Sequence, residues 1–117
     1  THALFTYLAG ELSKLGLVYL HVVDHSSMGA PEVKPETKAA MRAAFKGTYI
    51  LSGGYDRARA EADLTEGKGD LVAYGRPFIA NPKLPALLAS GEELTAPDFA
   101  TFYTPGEQGY TDYPVRG

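Results

Sequence analysis

The sequence predicts an α/β fold that corresponds to about half of a (β/α)8 barrel. Short apolar runs alternate with segments of helical length, and repeating units of this kind form a parallel sheet with right-handed helical crossovers. The chain has 117 residues, whereas a complete (β/α)8 barrel needs about 250. Two successive apolar runs end in glycine, as do the strands after which such barrels bind phosphate. A small independent three-layer α/β domain is the alternative, but its outer strands would expose apolar edges.

The first predicted elements are a helix at residues 2–15 and a strand at residues 17–23. In the helix, leucine and phenylalanine recur at helical spacing, and Gly16 follows at its end. The strand is almost continuously apolar, which is typical of a strand buried on both faces of a parallel sheet. We therefore expect His21, within this run, to lie in the core or in the barrel interior. Residues 24–35 are rich in Ser, Gly and Pro and are predicted to form a loop.

The next units repeat the order of helix and strand. A short helix is predicted at residues 35–45, followed by a strand at residues 48–51. Asp56 is placed to cap a helix at residues 57–66, because aspartate there accepts hydrogen bonds from free backbone N–H groups. The third predicted strand covers residues 71–74, so single helices separate the three strands.

One more short helix is predicted at residues 83–89, and the composition changes after it. Residues 92–117 are rich in Pro, Gly, Thr and Tyr and show no clear period. Because this part carries several aromatic residues, we expect an ordered tail and not a disordered one. The whole chain, residues 1–117, is predicted to be a single segment with αβ units in residues 1–91 and the tail after them.

Composition and charge exclude several classes of function. The net charge is −3 and no basic run is present, so nucleic acid is not an expected partner. No apolar stretch approaches the roughly 18 residues of a membrane span, so no membrane association is expected. The absence of cysteine removes disulfides, Cys-zinc sites and thiol nucleophiles, and is compatible with the cytoplasm, where we expect the protein. The histidines lack metal-ligand spacing, so no metal site is predicted.

An anion site is predicted where the second and third strands end. Gly53 and Gly54 follow the second strand, and Gly75 and Arg76 follow the third. Glycine allows the backbone to approach a ligand closely, and arginine presents a planar set of donors to phosphate oxygens. The alternative for Arg76 is a salt bridge to a carboxylate, and the alternative for the glycines is turn geometry alone.

Four motifs occur together in this sequence. They are LSGGYD at residues 51–56, GDLVAYGRPFIANP at 69–82, TFY at 101–103 and GYTDYP at 109–114. In this combination and order the sequence resembles the C-terminal part of the Old Yellow Enzyme family, over essentially the whole chain. Members of that family are FMN-dependent, NAD(P)H-driven ene-reductases that fold as a single (β/α)8 barrel. The resemblance implies the C-terminal half of such a barrel, with strands 6, 7 and 8, their flanking helices and a C-terminal tail.

The resemblance also implies which residues hold the cofactor. In the family, backbone amides after strand 7 and a Gly-Arg pair after strand 8 bind the FMN phosphate. Carried onto this sequence, the phosphate-binding residues are Gly53, Gly54, Gly75 and Arg76.

Further residues are implied at the flavin and the substrate. Phe102 and Tyr103 match the family's Phe-Tyr pair, which would lie beside the flavin and at the substrate mouth. The loop after the first strand corresponds to a variable lid. Within it His25 and Met28 are expected to contact the substrate, together with Tyr103.

The implied activity needs more than this chain. It is the NAD(P)H-driven reduction of the C=C bond of activated alkenes, such as enones, nitroalkenes and nitroesters, with FMN as cofactor. The family's catalytic acid and carbonyl-binding groups lie mostly in the N-terminal half, so no catalytic residue is named here. A complementary N-terminal half-barrel is the expected partner, and homo-oligomers remain open. Thr1 in place of an initiator Met leads us to expect a split, permuted or proteolysed chain.

Two other functions remain open from the sequence. The chain could bind a phosphate ligand without redox activity, or it could self-assemble through exposed strand edges into a barrel of two halves. The motifs of the tail favour the enzyme, because a general phosphate-binding barrel does not require the Phe102–Tyr103 pair or the run at residues 109–114.

Overall fold

The computed structural model describes residues 1–116, and the chain divides into two compact units. The first runs from Thr1 to Ala73 and contains the sheet, and the second begins at Tyr74. The prediction of a single segment with a tail from residue 92 stays a prediction. None of the helices within residues 1–116 has the length and apolar character needed to cross a lipid bilayer.

The first unit is a three-stranded parallel sheet with α-helices between its strands. The strand order is β1-β2-β3, so each strand pairs with its neighbour in the sequence. The predicted alternation of helices and strands is therefore confirmed. The elements are α1 (His2–Lys14), β1 (Tyr19–Val23), a 3-10 turn (His25–Met28), α2 (Pro35–Ala44), β2 (Thr48–Ser52), α3 (Arg57–Thr65) and β3 (Leu71–Ala73).

Capping side chains set several boundaries of the first unit. β1 begins at Tyr19, later than predicted, and a 3-10 turn opens the predicted loop that follows it. The Asp24 carboxylate starts this turn by accepting a hydrogen bond from the Ser26 N–H at 2.9 Å. The predicted cap of α3 is confirmed, because Asp56 accepts a hydrogen bond from the Arg59 N–H at 2.8 Å.

One face of the sheet is covered by helices. Successive side chains of a strand point to opposite faces, and the side chains of Tyr49 and Leu51 in β2 share the buried face. Arg42 of α2 lies over the Tyr49 ring, with its guanidinium carbon 5.7 Å from the ring centroid. The core of this unit therefore lies between the sheet and its helices.

The opposite face of the sheet is open. Tyr19 and Val23 of β1 are exposed by 58% and 47%, and His21 between them is exposed as well. Burial of this strand on both faces is therefore not observed in this chain. Of the two positions expected for His21, the core of this unit is excluded, and the barrel interior stays a prediction. The reason is that β1 is an edge strand which pairs with β2 alone in the described sheet, and the helices of the unit pack on the other face.

The second unit contains two short helices, α4 (Arg76–Ala80) and α5 (Leu84–Ser90), and a 3-10 turn at Phe99–Thr101. The helix predicted at residues 83–89 is confirmed as α5. The sequence did not predict α4, whose first turn contains Pro77. Proline is compatible with that position because the first N–H groups of a helix have no partner within the helix.

Asn81 connects the helices of the second unit to the segment after them. Its side chain is buried, and its amide nitrogen donates to the carbonyl oxygens of Pro77 at 2.8 Å and Thr95 at 2.9 Å. Its Oδ1 atom accepts a hydrogen bond from the Thr95 N–H at 2.9 Å. The buried apolar side chains of this unit are Ala80, Leu84 and Leu87.

Hydrogen bonds also order the tail. The Asp98 N–H donates to the Tyr113 hydroxyl oxygen at 2.8 Å, and the Gly109 N–H donates to Asp112 Oδ1 at 2.7 Å. Tyr113 and Asp112 therefore fix the tail to itself, which agrees with the order expected from its aromatic content.

We expect Asn81→Leu to lower the free energy of unfolding by about 2–3 kcal/mol. Leucine has the same branching at Cγ, but it leaves the Thr95 N–H and two carbonyl oxygens without their buried partner. Urea unfolding of the protein measures the change. Gln108→Leu, at an exposed position of the same unit, is the control and should change stability by less than about 0.5 kcal/mol. Equal midpoints for the two variants would contradict the role of Asn81.

Candidate functional site

The loop after β2 requires glycine at two consecutive positions. Gly53 has φ +119° and Gly54 has φ +66°, which side chains rarely permit. A Cβ atom at Gly53 would lie 2.0 Å from the Asp24 carbonyl oxygen, and one at Gly54 would lie 2.7 Å from the Ser27 Cβ atom. The loop after β1 therefore packs directly on the glycine loop after β2.

The amides of this glycine loop are available to a ligand. Within residues 1–116, neither the Gly53 N–H nor the Gly54 N–H donates a hydrogen bond. Consecutive N–H groups in a turn with left-handed residues form concave sites for anions. The first half of the predicted phosphate site thus has the required donors.

Arg59 supports the glycine loop from the first turn of α3. Its guanidinium donates a hydrogen bond to the Gly53 carbonyl oxygen at 2.8 Å and lies over the Tyr55 ring, 4.0 Å from the centroid. The Tyr55 hydroxyl donates to Asp63 Oδ2 at 2.7 Å. Burial, together with this bond to Asp63, raises the pKa of Tyr55 to about 12. Arg59 was not predicted as a site residue, because an arginine in the first turn of a helix has no distinctive signature in the sequence.

The loop after β1 is fixed at its base by a buried ion pair between Asp24 and Lys38. Asp24 is 4% exposed and also accepts the hydrogen bond from the Ser26 N–H. Burial by itself would raise the pKa of Asp24, but the hydrogen bonds from Lys38 and Ser26 outweigh it and lower the pKa to about 2. The sequence analysis named neither residue.

His25 and Met28 lie in the 3-10 turn that directly follows Asp24. Both side chains are exposed, Met28 by 58%. The structure thus places them beyond the carboxyl end of β1 with accessible surface. Their contact with a substrate stays a prediction.

The second half of the predicted phosphate site belongs to the second unit. Gly75 precedes α4, and a Cβ atom added there would meet no atom within 4 Å, so the backbone is open to a ligand. Within residues 1–116, no carboxylate pairs with the Arg76 guanidinium, so the alternative of a salt bridge is not observed. Instead the guanidinium lies over the Phe99 ring, 5.2 Å from its centroid.

Aromatic rings continue from Arg76 through the second unit. Phe99 and Phe102 have ring centroids 4.8 Å apart, and Phe102 meets Tyr103 edge to face at 6.4 Å. Tyr103 is 98% exposed, so its ring offers a free surface. The structure therefore brings Arg76 and the Phe102–Tyr103 pair into one cluster through Phe99. Phe99 was not predicted as a site residue, since only its aromatic character was visible in the sequence.

Residues 1–116 contain no group of three or more His, Asp or Glu side chains placed to hold a metal ion. The predicted site offers hydrogen-bond donors, namely the glycine amides and the Arg76 guanidinium. Such donors suit an anionic ligand, and phosphate is the anion for which glycine loops and arginine are combined most often.

A parallel sheet with glycine loops at the carboxyl ends of its strands is consistent with part of a (β/α)8 barrel. Residues 5–95 match the model of the NADH:flavin oxidoreductase / NADH oxidase family. The chain belongs to this family, and the resemblance to Old Yellow Enzymes is confirmed.

Relatives match almost the whole chain but only part of their own length. The chain is 44% identical to a 12-oxophytodienoate reductase-like protein of Solanum lycopersicum, covering 97% of this chain and 31% of that protein. It is 40% identical to 12-oxophytodienoate reductase 2 of Arabidopsis thaliana, covering 96% of this chain and 31% of that protein. The chain thus spans about 31% of the length of these relatives.

Solved structures agree with this assignment. Morphinone reductase aligns with a TM-score of 0.91 and 47% identity, covering 98% of this chain and 31% of that one. The old yellow enzyme from Trypanosoma cruzi aligns with a TM-score of 0.86 and 34% identity, covering 99% of this chain and 30% of that one. The predicted fold class, part of an α/β barrel, is confirmed.

We expect the Asp24–Lys38 pair to stabilise the protein above about pH 4 and to fail below it. The pKa of Asp24 is about 2, against 3.8 for an ordinary aspartate, so the folded state favours the ionised form. This contribution is complete above the unfolded pKa and is lost as the pH falls from 3.8 toward about 2. The lowered pKa corresponds to about 2 kcal/mol.

The test is to measure the free energy of unfolding at pH 7, 4 and 2 for the parent protein and for Asp24→Asn. The variant should be less stable at pH 7 and lose less stability between pH 4 and 2. Glu61→Gln, at an exposed position of α3, is the control and should follow the parent. Parallel curves for parent and Asp24→Asn would contradict the assignment.

Proposed function

We propose that this chain is part of an FMN-dependent ene-reductase that reduces the C=C bond of activated alkenes with NAD(P)H. The chain supplies the site for the FMN phosphate and part of the substrate mouth. Membership of the NADH:flavin oxidoreductase / NADH oxidase family supports the class of reaction. The observation that carries the proposal is Arg76, a guanidinium with no carboxylate partner in the described chain, beside the open backbone of Gly75.

The residues present fit a phosphate dianion. The Gly53 and Gly54 amides have no acceptor within residues 1–116, so an anion would satisfy them. The planar donors of Arg76 suit phosphate oxygens, and the aromatic platform of Phe99 limits the orientations of the guanidinium. Neither half of the site contains a carboxylate bound to these donors that a phosphate would have to displace.

The order of the strands supports assigning both glycine loops to one ligand. β2 and β3 are adjacent and parallel, and Ser52 is the register partner of Ala73. Gly53 follows Ser52 directly, and Gly75 follows Ala73 after one residue. In barrels of this class, the loops after neighbouring strands 7 and 8 share a phosphate.

FMN, when bound, supplies the hydride chemistry, accepting hydride from NAD(P)H and delivering it to the alkene. The residues of this chain bind the phosphate, orient the cofactor and enclose the substrate. Gly53, Gly54, Gly75 and Arg76 hold the phosphate end, and the exposed ring of Tyr103 borders the substrate mouth with Phe102 behind it.

The substrate side of the site is completed by the loop after β1. His25 and Met28 contact the alkene from this loop, whose base is fixed by the Asp24–Lys38 pair. The proton that completes the reduction comes from a residue outside this chain.

The partner that we propose is the complementary N-terminal part of the barrel. The chain covers about 31% of its relatives, and it has three of the eight strands that a barrel requires. The open face of its sheet, with Tyr19 and Val23 exposed, is the surface that the other strands would enclose. This surface also serves the second candidate, self-assembly of the chain. Homo-oligomerisation and a cytoplasmic location stay predictions.

We expect Arg76→Ala to weaken FMN binding by about 1.5–3 kcal/mol, or about 10- to 150-fold in Kd. The substitution removes the charged donor but leaves the helix start intact. Flavin fluorescence titration of the apoprotein, prepared with its N-terminal part, measures the affinity.

Arg116→Ala is the matched control, because Arg116 is an exposed arginine of the same unit that donates to the Glu93 carbonyl oxygen at 2.9 Å. It should leave the Kd for FMN within about twofold of the parent, because Arg116 is not among the residues proposed to hold the phosphate. An unchanged FMN affinity in Arg76→Ala would refute the phosphate assignment.

A further inference from the structure

Arg59 is held at two points, and this distinguishes it from an ordinary surface arginine. Its side chain donates to the Gly53 carbonyl oxygen at 2.8 Å and lies 4.0 Å from the centroid of the Tyr55 ring. Its backbone is fixed as well, because its N–H donates to the Asp56 cap at 2.8 Å. The first turn of α3 therefore presents this guanidinium to the glycine loop in one orientation.

The hydrogen bond to Gly53 determines the direction of the next amide. The described chain contains no cis peptide bonds, so the carbonyl of Gly53 and the N–H of Gly54 point to opposite sides of their shared peptide plane. When Arg59 holds the carbonyl on one side, the Gly54 N–H is fixed on the other. Two consecutive glycines would otherwise leave this plane free to rotate.

The platform beneath Arg59 is itself rigid. Tyr55 is 8% exposed, and its hydroxyl donates to Asp63 Oδ2 at 2.7 Å. Asp63 also pairs with Lys68, whose Nζ atom lies 3.4 Å from Oδ1. The ring cannot turn without breaking these contacts, so it limits the positions that the guanidinium can adopt.

Arg59 makes no direct ion pair among the described residues, although the Asp63 carboxylate is near enough to interact with it electrostatically. Within residues 1–116, no carboxylate oxygen lies within 4.0 Å of its guanidinium nitrogens. The bond to Gly53 uses one of five N–H donors. The cation therefore remains beside a loop whose own amides lack acceptors, which favours an anion at that loop.

We propose that Arg59 is a positioning residue that holds the peptide between Gly53 and Gly54 with its N–H directed at the FMN phosphate. The inference rests on the proposed function, since it concerns the same cofactor. It adds a second arginine that acts on the loop and not by direct contact with the ligand. Loss of this residue should therefore affect binding of the phosphate group and leave the ring system's contacts unchanged.

The test compares FMN with riboflavin, which has the same ring and ribityl chain but no phosphate. Kd values for both are measured by fluorescence titration of the apoprotein, prepared with its N-terminal part. Arg59→Met keeps an unbranched apolar stem beside Tyr55 but removes the donor, and it should weaken FMN binding about tenfold. Riboflavin binding should stay within about twofold of the parent.

Two further variants make the comparison specific. Arg59→Lys restores a donor and a charge, so it should recover part of the FMN affinity. Arg57→Met is the matched control, because Arg57 is an exposed arginine at the first position of the same helix. It should leave both Kd values unchanged.

Three results would overturn the inference. Equal weakening of FMN and riboflavin would show a general structural role for Arg59, and no weakening of either would show no role. The third concerns Arg59→Lys, used alone if Arg59→Met fails to fold: a variant that weakens riboflavin binding as much as FMN binding would also overturn the inference. If Arg76→Ala selectively weakens FMN but the Arg59 variants do not, this inference alone fails. If Arg76→Ala is also without effect, the proposed phosphate site fails.

Discussion

The parallel pairing of β2 with its two neighbours is the interaction on which the other features depend. Ser52, the last residue of β2, is the register partner of both Val23 and Ala73. The ladder continues one step further, because the Asp24 N–H donates to the Ser52 carbonyl oxygen at 3.0 Å. The carboxyl ends of all three strands therefore lie at the same end of the sheet, and the loops that carry polar groups begin there. A shift of register by one residue would separate these loops and reverse the faces of the strand.

The opposite end of the sheet, where the strands begin, is held by the hydrogen bonds of one carboxylate. Asp70, just before β3, accepts two hydrogen bonds from Arg42 at 2.6 and 2.8 Å and one from the Tyr49 N–H at 2.8 Å. The bonds from Arg42, followed by the one from Tyr49, lower the pKa of Asp70 to about 2. One carboxylate thus joins α2, the start of β2 and the start of β3. This carboxylate therefore fixes the amino ends of β2 and β3, as the Asp24–Lys38 pair fixes the loop at the carboxyl end of β1.

Local patterns in the sequence were sufficient for the elements and for part of the site. Apolar runs located β2 and β3, and glycine spacing located the two loops after them. The exposure of His21 could not be predicted, because it depends on which strands surround β1 and not on the composition of the run. Arg59 and Phe99 were missed for a similar reason. Their roles arise from where a side chain points after folding, and neither occupies a position with a distinctive local signature.

The glycines of the two loops differ in their steric surroundings, and this predicts how each would tolerate change. At Gly53 a methyl group would strike the Asp24 backbone, so a substitution there acts on the fold itself. At Gly75 the same methyl group would meet no protein atom, and the backbone has a negative φ of −103°. A survey of variants by cellular abundance would therefore find Gly53 and overlook Gly75. With Gly75 in the proposed FMN phosphate site, a survey by cofactor content would reveal both glycines. The two scores together would then separate residues that the fold requires from residues that only the proposed ligand requires.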